Sequence, residues 1–165
     1  MNIKKLSGMA LLTCISLIIF VVEMQIPLPV PIPGIKLGLA NIVTVYAVYM
    51  YSPGDAALIL LARIILGAVF SGNISALIFS LSGGFLCLLG MIILRRFIDD
   101  NHIFLCSIIG AVLHNIGQII AAAFVTGTLS VLAYLPILTV AGCIAGLFTG
   151  ICSQITVNRL GGKRK

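Results

Sequence analysis

Long uncharged runs fill most of this chain, and short polar breaks separate them. Six apolar segments stand out, from about Leu6 to Val22, Leu37 to Tyr51, Ala56 to Ser71, Ile74 to Leu94, Ile103 to Val125 and Leu129 to Val157. The breaks carry turn chemistry. Ser52-Pro53-Gly54-Asp55 is a turn in which Pro53 opens the next helix. Ser71-Gly72-Asn73 is a second tight turn, and Thr126-Gly127-Thr128 closes the fifth segment. Residues 95–102, Arg-Arg-Phe-Ile-Asp-Asp-Asn-His, form the one truly polar loop. The pattern predicts an all-α membrane protein, a compact bundle of six transmembrane helices forming a single integral membrane domain over residues 1–165. The second segment is short for a hydrocarbon core of about 30 Å. Either its neighbours shelter it, or it begins inside the preceding proline-rich loop.

Composition agrees. Hydrophobic residues make up 61% of the chain and charged residues 8%. Soluble domains lie near ~45–50% apolar and ~25% charged, so this chain cannot clothe itself in polar surface. A spanning helix takes roughly 20 apolar residues, which leaves no room for a separate soluble domain.

The net charge of +6 does not indicate nucleic acid, because the charges sit at chain ends and in one loop rather than along a helix face. Their distribution sets orientation instead. With the N-terminus inside, Lys4, Lys5, Arg95, Arg96, Arg159, Lys163, Arg164 and Lys165 all lie on the cytoplasmic side, and Lys36 alone lies outside. The positive-inside rule then places both termini in the cytoplasm of a multi-pass cell-membrane protein. Two lysines before an apolar run resemble a secretory signal, but no small-x-small cleavage site follows, and Glu23 and the prolines occupy that place. The first segment is therefore expected to remain a span.

Small and sulfur-bearing residues add detail. Gly142, Gly146 and Gly150 recur every four residues and share one face of the sixth helix. Such a face suits close packing within the bundle or docking against another membrane subunit. Ala10 and Cys14 give the first helix a weaker small face. The five cysteines are scattered in apolar segments, form no C-x-x-C pair and are odd in number, so they are expected to be small buried residues rather than a disulfide framework.

Strongly polar groups inside spans are costly and normally face the bundle interior or a cavity. Asn41, Arg63, His114, Asn115 and Gln118 are the candidates. Helical rise puts Asn41 about one turn below the outer surface, Arg63 and His114 near mid-membrane, and Asn115 and Gln118 in the outer half. His114 and Gln118 are four apart and Asn115 and Gln118 three apart, so the three form one stripe. Asn73 caps the outer turn, and Lys36 lies above. Together these seven residues define a candidate substrate pocket opening outward. Glu23, Asp55, Asp99 and Asp100 are read as edge residues, which leaves Arg63 without an acidic partner inside the spans. Two roles fit Arg63: a structural hydrogen-bond hub, or a counter-charge for an anionic ligand.

Other chemistry lacks support. Zinc takes three or four His, Cys or carboxylate ligands, and His114 stands apart from His102, so no metal site is expected. No Ser or Cys pairs with a base at a recognisable spacing, and no Gly-rich loop ends in Lys-Ser or Lys-Thr. The chain is expected to be neither a catalyst nor an ATPase, and to carry no cofactor. The stretch PVPIPGIKLGLANIV (29–43) has a clearer use. Prolines restrict φ and cost little ordering entropy. A stiff loop of this kind can cover an outward pocket with few unsatisfied N–H groups, with Gly34 making the turn and Lys36 pointing at the occupant. A plain connection fits the same residues.

PIPGIKLGLANIV (31–43), RIILGAVFSG (63–72), SLSGG (80–84), GAVLHNIGQ (110–118) and YLPIL (134–138) together resemble one bacterial membrane family, heptaprenyl diphosphate synthase component I, also called the Gx transporter family. The likeness runs from about residue 8 to 155. That family in turn resembles the substrate-binding S components of energy-coupling-factor (ECF) importers. The resemblance implies capture of a micronutrient or related metabolite beneath a 24–36 lid. It also implies docking through Ala10 and Cys14 to a T subunit, with two ABC ATPases supplying energy. A catalytic synthase role does not fit. Prenyl diphosphate synthases hold Mg²⁺ and diphosphate with paired Asp-rich motifs, and Asp99-Asp100 has no second cluster. A non-catalytic membrane accessory for isoprenoid or quinone synthesis is the alternative, and a scaffold without ligand is a third class.

Overall fold

A computed structural model describes residues 3–26 and 34–161. Pro27, Pro29, Pro31 and Pro33, with the lid they were expected to stiffen, lie outside the described residues, as do Lys163, Arg164 and Lys165. The helices are α1 (Ile3–Glu23), α2 (Asn41–Met50), α3 (Pro53–Ser71), α4 (Ile74–Leu94), α5 (Ile103–Thr126) and α6 (Leu135–Gly161). Short 3-10 turns at Asp100–His102 and Leu129–Tyr134 precede α5 and α6. No strand occurs among the described residues.

Local chemistry sets the boundaries. Ser52 caps α3 in a capping box: Asp55 N donates to Ser52 Oγ at 3.3 Å, and Ser52 N donates to Asp55 Oδ2 at 3.1 Å. Pro53 occupies the first turn, where its missing N–H costs nothing. Lys5 reaches Asp55 Oδ2 at 2.6 Å and ties the start of α1 to the start of α3. Asn73 caps α4 by accepting from Ser75 N at 2.9 Å and Ala76 N at 3.3 Å. Arg95 donates to Val48 O and Tyr49 O, so a cation closes the C-terminal end of α2, where the helix dipole favours it.

α1, α3, α4, α5 and α6 are each long and apolar enough to cross a membrane. Their outward faces carry large apolar side chains such as Val69, Phe85, Phe124 and Phe148, which suits contact with lipid. α2 has 10 residues, against an expected segment from 37 to 51. At 1.5 Å per residue it spans about 15 Å, half of a hydrocarbon core. The sixth segment also differs, because its first six residues form a 3-10 turn rather than α-helix.

α4, α5 and α6 pack closely through glycine. A Cβ on Gly117 would lie 2.8 Å from Gly83 Cα, and one on Gly146 would lie 2.8 Å from Ile108 Cα. One on Gly150 would lie 2.6 Å from Phe104 Cα. The glycine face of α6 is thus turned inward against α5, and packing rather than docking accounts for it. Ser107 Oγ and Thr149 Oγ1, 3.0 Å apart, add a hydrogen bond to the same interface.

Candidate functional site

Residues 34–40 connect to α2 without helix or strand, yet they are not surface loop. Ile35, Gly38 and Ala40 are buried, and Ala40 is only 1% exposed. At membrane depth, irregular backbone survives only where protein covers it and pairs its polar groups. Side chains of α1 and α5 do this. Glu23 Oε1 accepts from Gly38 N at 2.5 Å, and Oε2 accepts from Ala40 N at 3.4 Å. Ser16 Oγ donates to Ala40 O at 3.3 Å. Gln118 accepts from Lys36 N and donates to Lys36 O, both at 2.9 Å. Two residues past the segment, Ser153 of α6 donates to Ile42 O at 3.1 Å. The segment therefore runs down the polar stripe of α5, with Lys36 beside Gln118 and Gly38 beside His114.

Gly38 permits this course. Its φ is +83°, and a Cβ would lie 2.8 Å from Asn41 Nδ2 and 2.9 Å from His114 Cδ2. Any other residue would be strained and would strike both side chains.

Two expectations change here. Asn41, expected nearer the outer surface than Arg63, meets that side chain. Its Oδ1 accepts from Arg63 Nη2 at 3.4 Å, and Arg63 stands midway along α3. The chain has already descended before the helix begins, because Glu23 and Gln118 supply partners that a helix would otherwise supply. Glu23, in turn, is not a solvent-facing edge residue. It is 4% exposed, and it acts electrostatically on both Lys36 and Arg63. Arg63 thus has a carboxylate in range after all.

The cationic centre is compact. Arg63 is 3% exposed, and its guanidinium lies 5.8 Å from the centroid of the Phe20 ring. Lys36 Nζ sits over the same ring at 3.3 Å, a cation–π contact. Lys36 Nζ, Asn41 Nδ2 and Arg63 Nε are buried without a hydrogen-bond partner, and so is His114 Nδ1. Unpaired buried donors each cost about 1–3 kcal/mol, so a cluster of them suits an acceptor-rich guest.

The predicted residues do not all meet. Lys36, Asn41, Arg63 and His114 converge. Gln118 joins them but commits both ends of its amide to the Lys36 backbone. Asn115 turns to α6 instead, where Nδ2 donates to Leu138 O at 2.5 Å and Oδ1 is left unpaired. Gly142 makes room for it. Asn73 is half-buried and holds the start of α4. Ala10 and Cys14 are exposed on α1. His102 lies in the turn before α5, and among the described residues no three His, Cys, Asp or Glu side chains gather at one point.

Glu23, Ser16 and Phe20 complete the site, and sequence reasoning passed over all three. The available signal was an acid ending an apolar run just before a backbone that needs N–H acceptors. A separate apolar groove of about 370 Å³ opens between α1, α2 and α6, lined by residues such as Leu12, Ile15, Tyr46 and Thr156. Gly8, Tyr51 and Leu160 also line it, so the start of α1, the end of α2 and the end of α6 border the same groove.

No curated protein and no solved structure matches the chain. A family model described as heptaprenyl diphosphate synthase component I matches residues 12–156, from the middle of α1 to near the end of α6. That match contains every residue of the site, and the chain belongs to the heptaprenyl diphosphate synthase component I family.

Proposed function

We propose that this protein is a non-catalytic membrane subunit that holds a small anionic or electron-rich molecule at Lys36, Asn41, Arg63 and His114. The observation that carries this reading is the set of unpaired, buried polar atoms gathered beneath residues 34–40. A purely structural hub would pair its own polar atoms, as Glu23, Ser16 and Gln118 do nearby.

The family supplies the first setting, a membrane accessory that works with another component of a heptaprenyl diphosphate synthase. The apolar groove between α1, α2 and α6 suits a hydrocarbon chain in that setting. A second setting rests on the site itself. A cluster of unpaired buried polar atoms under a connecting segment, next to the single lysine assigned to the outer side, suits capture from outside the cell. That is the work of a substrate-binding subunit in an ECF-type importer, with a T subunit and ABC ATPases as partners and Ala10 and Cys14 on the docking helix.

Gentle affinity purification from native membranes, followed by mass spectrometry, separates the two. A co-purifying soluble prenyl synthase that gains activity with this protein supports the accessory role. Co-purifying ABC ATPases with a second membrane protein support the importer. Neither partner, together with no bound small molecule, would overturn the proposal in favour of a scaffold.

A further inference from the structure

The site has an unusual charge balance for an anion trap, because its third charged group is Glu23. Lys36 and Arg63 contribute two positive charges, and the carboxylate removes one. No other element changes the sum. α2 and α4 contain no charged residue, and α6 carries only Arg159 near its far end. α5 contributes His114, which packs on Gly38. Glu23 also cannot swing aside, since both oxygens are tied to backbone N–H groups of the 34–40 segment. We propose that the site selects a singly charged, acceptor-rich group such as a carboxylate, and that Glu23 is the specificity residue that rejects diphosphate. This rests on the binding-site reading above.

The physical reason is the scaling of two costs. Desolvation of an ion rises with the square of its charge, and a buried charge must be matched to be tolerated. A monoanion balances the single net positive charge. It can take the free N–H of Arg63 and Asn41 and draw the Lys36 ammonium off the Phe20 ring. A diphosphate brings two or more negative charges against one net positive charge and faces a fixed carboxylate. Like charges placed together discriminate strongly against the wrong partner. The diphosphate named in the family's description therefore does not belong at this site. A prenyl diphosphate handled by the protein would be held elsewhere or by its partner.

Isothermal titration of the purified full chain in detergent, with sodium benzoate and with inorganic pyrophosphate as probes at neutral pH, tests this. Benzoate should bind the wild type at least about tenfold more tightly than pyrophosphate. Glu23→Gln keeps a side-chain oxygen for the loop and removes the charge, so it should narrow or reverse that ratio by about tenfold. Pyrophosphate binding as tightly as benzoate would overturn the monoanion inference while leaving a binding site. An unchanged ratio in folded Glu23→Gln would remove the role of Glu23. Failure of both probes on both proteins would instead count against the binding-site reading itself. If Glu23→Gln does not fold, the wild-type ratio still decides the ligand class.

Discussion

Gln118 grips Lys36 by its backbone, accepting from Lys36 N and donating to Lys36 O at 2.9 Å each. The amide imitates one rung of a β-ladder, although no strand occurs among the described residues. It frees the lysine side chain from holding the segment and leaves its ammonium over the Phe20 ring. Gln118→Leu keeps the size and removes both partners. Two buried backbone groups left unpaired should cost about 2–4 kcal/mol in total. The expected result is a lower unfolding midpoint in denaturant and faster proteolysis between α1 and α2, with helical content retained. Unchanged proteolysis would show that Glu23 and Ser16 hold the segment alone.

Gly38 should tolerate no side chain. Gly38→Ala combines positive φ with contact on Asn41 and His114, and should destabilise by about 1–3 kcal/mol while weakening ligand binding. Gly54, in the first turn of α3 with open space around it, is the control. Gly54→Ala should change stability by less than about 1 kcal/mol, and in the favourable direction. Equal losses at both positions, read by thermal unfolding, would contradict this account.

Arg63 separates binding from folding. Arg63→Ala should reduce affinity for the bound anion by about 10- to 150-fold, the loss of one charge-assisted contact, while circular dichroism stays helical. Arg63→Lys should recover part of the affinity. A variant that loses its helical signal and its binding together would make Arg63 a structural hub.

The two small-residue faces should behave differently. Gly146→Leu forces α5 and α6 apart and should cost about 1–3 kcal/mol or more by overpacking. Cys14→Leu sits on the exposed face of α1 and should leave unfolding unchanged within about 0.5 kcal/mol, while lowering recovery of the partner in pull-down. Recovery unaffected by Cys14→Leu would move the docking surface away from α1.

Much of the architecture was determined by sequence alone, because a bilayer imposes a simple rule. Runs such as Ile74–Leu94 must be helical to satisfy their own backbone in lipid, and Ser52, Asn73 and Gly72 mark their ends by local chemistry. The same cost argument picks out Arg63, Asn41, His114 and Gln118 as interior groups. What sequence alone did not determine lies between α1 and α2. Apolar composition suggested helix from residue 37, but tertiary partners made residues 34–40 a covered, irregular segment. Glu23 sits 15 residues before Gly38, and Gln118 sits 82 residues after Lys36. Periodicity describes which residues share a helix face. It carries no information about which distant side chain will pair with an orphaned backbone group. Only the packed bundle decided that Gln118 secures the segment, that Asn115 turns away to Leu138, and that a carboxylate stands beside the two cations.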